Sequence, residues 1–72
     1  REVYVDSEPI ELYKLLKFDG IVQSGGEAKC VIADGLVSVN GSVETRKRKK
    51  MFFGDVAEFE GVSIRVAEKT SC

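Results

Sequence analysis

The 72-residue chain contains no histidine and only two cysteines, and both shortages limit its chemistry. Structural zinc sites use histidines and closely spaced cysteines, whereas Cys30 and Cys72 are far apart in the sequence. We therefore expect no metal, no cofactor and no disulfide framework. Such cysteine usage is typical of a reducing compartment. We predict a cytoplasmic protein in which Cys30 is an ordinary helix residue.

Long hydrophobic runs are also missing. No stretch approaches the roughly 20 apolar residues that cross a bilayer, and the first residues, REVYVDSEP, do not resemble a signal peptide. The sequence has no nucleophile elbow, no phosphate-binding loop and no histidine to serve as a base. We predict no membrane association, no enzymatic activity and no small-molecule substrate.

The length fits one domain, residues 1–72. The hydrophobic fraction of 43% and the charged fraction of 32% are ordinary for a folded globular protein. We expect this domain to be a monomer.

The segment IELYKLLKFDG has the spacing of an amphipathic helix. Gly20 follows it as a stop signal. The predicted buried face contains Leu12, Leu15, Leu16 and Asp19, with Tyr13 and Phe18 beside it.

The segment SGGEAKCVIADG predicts a second helix with both ends marked. Ser24 and Glu27 have the spacing of a capping box, and Gly35 suits the left-handed position after the last turn. The predicted buried stripe is Ala28, Val31, Ile32 and Gly35. The side that faces away from the core is predicted to carry Gly25, Lys29 and Ala33.

Short strands are predicted on either side of these helices. Residues 2–5, EVYV, alternate as an edge strand does. Asn40-Gly41 lies between alternating valines, which is typical of a hairpin. Further strands are predicted at residues 50–53, 56–59 and 63–66, with turns between them. We therefore predict an α+β fold with both helices on one side of a small, mostly antiparallel sheet.

The sharpest anomaly is a basic loop of five consecutive cations, Arg46, Lys47, Arg48, Lys49 and Lys50. Removing these charges from the net charge of −1 leaves −6. Charge runs are usually solvated surface. However, uninterrupted like charges repel one another, and function often collects on strand connections. We interpret the loop as a binding site for nucleic acid or another polyanion.

The start of the second helix is another candidate site. Unpaired N–H groups at a helix N-terminus attract phosphate, and Gly25 and Gly26 allow a backbone to approach closely. Lys29 adds a point charge one turn later. Glu27 adds a negative charge, so a purely structural capping role for this segment stays open.

Aromatic side chains provide a third signal, because exposed rings can stack on RNA bases. In an alternating strand, one of Phe52 and Phe53 should point outward. We expect most of the six aromatic residues to be at least partly buried.

Together, residues 11–60 resemble the S-four type (alpha-L motif) RNA-binding domain, named after the fourth small-subunit ribosomal protein. The family signature has a leucine-rich first helix, a Ser-x-x-x-Ala-Lys/Arg start to the second helix, a Gly-x-Val-x-Val-Asn-Gly hairpin and a late Gly-Asp-x-Val/Ile. The matching residues here are Leu12, Leu15, Leu16, Ser24, Ala28, Lys29, Gly35, Val37, Val39, Asn40, Gly41, Gly54, Asp55 and Val56. The resemblance is strongest to small bacterial stand-alone members with a QSGGxAK variant.

The resemblance implies binding of structured ribosomal or transfer RNA, in ribosome assembly or translation. It points to Gly25, Gly26, Lys29 and the basic loop. Phosphate contacts position RNA without specifying its sequence, so any preference is expected to come from Asn40, Lys29, an exposed phenylalanine or the geometry of the RNA. Many members carry a basic residue where this chain has Gly25 or Gly26, so here the loop is expected to supply more of the affinity. Two alternatives stay open. The loop could dock an acidic protein, or the chain could be the accessory domain of an RNA-modifying enzyme.

Overall fold

The computed structural model describes residues 1–69, so Cys72 lies outside the described part of the chain. The elements in chain order are β1 (Glu2–Val5), β2 (Ile10–Glu11), α1 (Leu12–Asp19), α2 (Gly25–Ala33), β3 (Val37–Val39), β4 (Ser42–Val43), β5 (Lys50–Met51), β6 (Val56–Phe59) and β7 (Val62–Glu68). Neither helix has the length and apolar character needed to cross a membrane.

Five strands form the main sheet in the order β1-β7-β6-β3-β4. Only β1 and β7 pair in parallel; the other three pairs are antiparallel. β1 is an edge strand, as predicted. β2 and β5 form a separate antiparallel ladder, in which Ile10 faces Met51 and Glu11 faces Lys50. The predicted α+β class and mostly antiparallel sheet are confirmed.

The core lies between the two helices and one face of the main sheet. Apolar residues at alternate strand positions face the helical layer, because successive side chains of a strand point to opposite faces. The sheet contributes Val3, Val5, Val37, Val39, Ala57, Phe59, Ile64 and Val66. The helices contribute Leu12, Leu15, Leu16, Ala28 and Ile32, each fully buried. Val31, predicted to be buried, is half-buried at the margin of this core.

The ends of α2 follow from local chemistry. The Ser24 hydroxyl accepts a hydrogen bond from the Glu27 N–H at 3.1 Å. The Glu27 carboxylate accepts from the Gln23 N–H at 2.7 Å, one residue earlier than in a standard capping box. At the other end, Gly35 has φ of +77°, and the Leu36 N–H donates to the Val31 carbonyl at 3.1 Å. This is a Schellman motif, so both predicted helix ends are confirmed.

Two predicted boundaries shift because of tertiary pairing. α1 begins at Leu12 instead of residue 10, since Ile10–Glu11 is held as β2 by its pairing with β5. The predicted strand over residues 63–66 extends to Val62–Glu68, because β1 pairs with its second half.

The predicted strand over residues 50–53 is shorter in the structure and stops at Met51. A turn follows, in which the Asp55 carboxylate accepts a hydrogen bond from the Phe52 N–H at 2.8 Å. The same carboxylate accepts from the Asn40 side-chain amide at 3.3 Å. Asp55 therefore ties the β5–β6 turn to the β3–β4 hairpin.

We expect Asp55→Ala to lower the free energy of unfolding by about 1–3 kcal/mol, because the Phe52 N–H and the Asn40 amide both lose their acceptor. Urea denaturation followed by circular dichroism measures the change. Glu58→Ala, an exposed position on the neighbouring strand β6, serves as the control and should change stability by less than about 0.5 kcal/mol. Equal stability of the two variants would show that the Asp55 link contributes nothing.

Candidate nucleic-acid interface

The basic loop lies across the start of α1. The N-cap residue of that helix, Glu11, provides no side-chain hydrogen bond to the helix amides. Instead the Lys49 carbonyl accepts from the Leu12 N–H at 2.9 Å, and the Lys47 carbonyl accepts from the Tyr13 N–H at 3.1 Å. The loop thereby satisfies two of the four backbone donors that a helix start leaves unpaired. Backbone hydrogen bonds, not side-chain charge, hold this loop in place.

Two carboxylates orient the loop arginines. Arg46 Nε lies 3.0 Å from Glu44 Oε2, and Arg48 Nε lies 4.0 Å from Glu11 Oε2. Both arginine side chains are largely exposed, at 75% and 72%. Within residues 1–69, no carboxylate lies within 4.0 Å of the amines of Lys47, Lys49 and Lys50. These three ammonium groups are available to an anionic ligand.

The Arg46–Glu44 pair changes the titration of both groups. Hydrogen bonding from the Arg46 guanidinium lowers the pKa of Glu44 below its usual value of 4.5. The same hydrogen bond raises the pKa of Arg46 further above its usual range. Both groups are therefore charged at neutral pH, and Arg46 stays oriented along the loop.

The candidate residues of α2 surround one aromatic ring. Gly25 and Gly26 are the first two residues of the helix, where N–H groups have no acceptor within the helix. Gly25 is half-buried, and an ideal Cβ at this position would lie 3.9 Å from Tyr13 Cδ2. Lys29 Nζ lies 5.0 Å from the centroid of the Tyr13 ring, within cation–π range. Tyr13 therefore packs directly against the start of α2.

Tyr13 also joins α2 to the basic loop, because its backbone N–H donates to the Lys47 carbonyl. The two predicted sites consequently lie on the same side of the molecule. A groove of about 720 Å³, which we name the loop groove, lies beside the basic loop. It is lined by residues 45–50 and by Ala33, the last residue of α2. Sequence reasoning missed Tyr13 as a site residue. In the sequence, Tyr13 was marked only by its position beside the apolar stripe of α1.

Asn40 lies apart from this surface. Its side-chain carbonyl accepts a hydrogen bond from the Val56 N–H at 3.0 Å, and its amide donates to Asp55. Asn40 directly follows β3, whereas the chain enters the basic loop beside Val37, at the other end of that strand. The distance from Asn40 to Val37 is roughly 10 Å, at ~3.3 Å per residue. Asn40 therefore has a structural role outside the surface formed by the loop and α2, and its contact with RNA stays a prediction.

The aromatic residues are more exposed than predicted. Phe52 points outward and Phe53 is half-buried, so the prediction for this pair is confirmed. Tyr4 and Phe18 are also exposed, at 61% and 63%. The expectation that most of the six rings are at least partly buried is therefore wrong, because it holds for only half of them.

Comparison with known proteins gives consistent matches. The S4 domain family matches residues 3–67. The Escherichia coli (strain K12) protein named "Putative RNA-binding protein YbcJ" is 49% identical over 57 residues, covering 79% of this chain and 81% of that protein. The Bacillus subtilis (strain 168) protein named "Probable ribosome maturation protein RlbA" is 39% identical over 59 residues, covering 82% and 83%. These names describe RNA-binding or ribosome maturation proteins, not enzymes.

A solved structure also matches. The solution structure of YbcJ from E. coli, described as revealing an alfaL motif involved in RNA-binding, superimposes with a TM-score of 0.64 at 42% identity. The match covers 92% of this chain and 82% of that one. This similarity extends beyond the helices and includes most of the sheet.

The Arg46–Glu44 pair predicts a specific pH response. Because the pKa of Glu44 is lowered in the folded state, the pair contributes stability at pH values above 4.5 and loses it as the pH falls through the folded pKa. Carbon-detected NMR titration should show a Glu44 pKa below 4.5, and Arg46→Gln should raise it toward 4.5. Arg48→Gln is the matched control, since Arg48 pairs with Glu11 instead. An unchanged Glu44 pKa in Arg46→Gln would contradict the pairing.

Proposed function

The chain belongs to the S4 domain family, and on that premise we propose that it is a non-catalytic, monomeric, cytoplasmic RNA-binding module. It contacts structured RNA, ribosomal or transfer, through α2 and the basic loop, and it acts in ribosome assembly or translation. One observation carries the proposal: Tyr13 joins the loop and the start of α2 into a single cationic surface. The names of the relatives support the same class of ligand.

The loop supplies most of the attraction to phosphate. Lys47, Lys49 and Lys50 act as point charges, and the two arginines present planar guanidinium groups held by Glu44 and Glu11. Outside the loop, the chain has a net charge of −6. The field of the remaining surface therefore repels polyanions and directs RNA to this one side.

α2 contributes to binding more through backbone amides that RNA can approach closely than through positive charge. Gly25 and Gly26 present backbone amides without side chains in front of them. Lys29 is half-buried against Tyr13, which limits its range of positions. The negative charge of Glu27 is directed at the Gln23 N–H. An RNA backbone held by the loop can therefore reach the start of α2 across Tyr13, whereas the loop groove itself meets α2 at its last residue, Ala33.

Contacts of this kind position RNA without reading its sequence. A preference for particular RNAs must come from the shape of the folded RNA or from contacts to its unpaired bases. Structured RNA with exposed single-stranded segments is the ligand class that satisfies both conditions.

The salt dependence of binding tests the phosphate contacts. If about four loop side chains contact phosphates, log affinity should fall with log salt at a slope near −3, at roughly −0.7 per contact for single strands. Fluorescence anisotropy with labelled ribosomal RNA fragments and transfer RNA, over a range of potassium chloride concentrations, gives the slope. A slope near zero would rule out binding through the loop cations.

A pair of charge variants locates the contacts. Lys47→Gln/Lys49→Gln should make the slope less steep by roughly 1.4, because two contacts of about 0.7 each are lost. Arg65→Gln/Lys69→Gln removes the same charge from β7 and the residue after it and should leave the slope unchanged. Equal effects of the two variants would show that net charge, not the loop, determines binding. Retention of an acidic protein by an RNase-treated sample, without RNA binding, would instead favour the protein-docking alternative.

A further inference from the structure

A second cavity opens beside the loop groove, between the β1–β2 connection and the exposed side of α1. Its volume is about 480 Å³, within the range of about 300–1,000 Å³ that is usual for ligand sites. Pro9, Ile10 and Phe18 form its apolar wall. Lys14 and Lys50 add positive charge, and Asp6 and Glu11 add negative charge. We name this cavity the helix pocket. Its combination of an aromatic ring with two ammonium groups matches the chemistry of a nucleotide.

Phe18 is the notable member of this lining. Its side chain is 63% exposed although it belongs to α1, whose opposite face is fully buried. Single exposed apolar residues are common, but this ring lies in a cavity with Lys14 one helical turn before it. An unpaired base could stack on this ring.

The carboxylates of the helix pocket have cationic partners. Glu11 Oε1 lies 3.5 Å from Lys14 Nζ, and Glu11 Oε2 lies 4.0 Å from Arg48 Nε. Asp6 Oδ1 lies 3.9 Å from Lys69 Nζ. Lys50 has no carboxylate within 4.0 Å in the part of the chain that the structure describes. The local balance of charge therefore favours an anionic ligand on the Lys50 side.

The helix pocket also adjoins the loop groove. Lys50 lines both cavities, and its backbone is fixed by the pairing of β5 with β2. A nucleic-acid strand in the loop groove that passes Lys50 can therefore reach the helix pocket.

Phe18 lines a further, smaller cavity with Glu2, Val3, Tyr4 and Asp19. Its lining has two carboxylates and no lysine or arginine, whereas the lining of the helix pocket includes Lys14 and Lys50. The lining lysines thus distinguish the two cavities that share the Phe18 ring and favour the helix pocket for a phosphate.

We propose that the helix pocket binds one unpaired nucleotide of the RNA, with its base stacked on Phe18 and its phosphate on the Lys50 side of the pocket. The proposal rests on the proposed function and adds a contact to a base, which the loop groove does not supply. Such a pocket predicts that the preferred ligand is an RNA with a single-stranded segment beside a double-helical one.

Two RNA hairpins test this contact, one with a short natural single-stranded extension and one with an abasic extension of equal length. Phe18→Ala should weaken binding of the natural hairpin by about 5- to 100-fold, the usual effect of losing one base–aromatic stack. It should leave binding of the abasic hairpin unchanged. Phe52→Ala removes another exposed phenylalanine, 47% exposed, that lines neither cavity, and should change neither affinity.

A spectroscopic readout separates stacking from a structural role. The chain has no tryptophan, so Phe18→Trp introduces a single indole at the pocket. The natural hairpin should quench its fluorescence and the abasic hairpin should not. Phe18→Leu, which keeps apolar bulk without a ring, should bind the natural hairpin as weakly as Phe18→Ala does, with an unchanged urea midpoint.

The outcomes distinguish the two proposals. If the wild-type chain binds both hairpins with the expected salt slope and Phe18→Ala binds them equally well, the nucleotide pocket is overturned and the loop interface stands. If the wild-type chain binds neither hairpin, both proposals fail. Weaker binding of both hairpins by Phe18→Ala would also overturn base stacking, because the abasic extension has no base to lose.

Discussion

The hydrogen bonds from the first amides of α1 to the carbonyls of the basic loop determine the arrangement of the whole candidate surface. Leu12 and Tyr13 donate to Lys49 and Lys47, and no side chain caps this helix start in their place. Leu12 is itself fully buried. The loop is therefore attached, through two backbone contacts, to the most constrained part of the molecule. The backbone that carries the five loop cations is therefore fixed in position relative to α1.

This arrangement also concentrates positive potential. The N-terminus of a helix carries a partial positive charge, and here it adjoins five cationic side chains. Their mutual repulsion disfavours the unliganded state, and Glu11 and Glu44 offset part of it by pairing with the two arginines. The remaining positive charge is what an RNA phosphate would neutralise. The same electrostatics thus explain why two carboxylates lie beside the loop and why an anion is the expected class of ligand.

Much of the fold was predictable because its signals are local. The leucine spacing of α1, the Ser24 cap, the glycine at the end of α2 and the Asn40-Gly41 turn each depend on a few neighbouring residues. The short strands were less predictable. Met51 ends β5 because Asp55 forms a turn with Phe52, and Ile10–Glu11 forms a strand only because β5 lies beside it. Both effects involve partners that a helical or alternating pattern does not reveal.

The same distinction applies to the site. The amino-acid sequence alone determined that the chain has one cationic segment, a glycine-rich helix start and no histidine, because charge and side-chain chemistry are properties of composition and order. The tertiary structure alone decided that these two segments share a surface, that Tyr13 connects them and that Asn40 is engaged elsewhere. It also decided that Phe18 lies in a cavity beside Lys50. Proximity between residues far apart in the chain is set by how the core packs, and no local pattern encodes it.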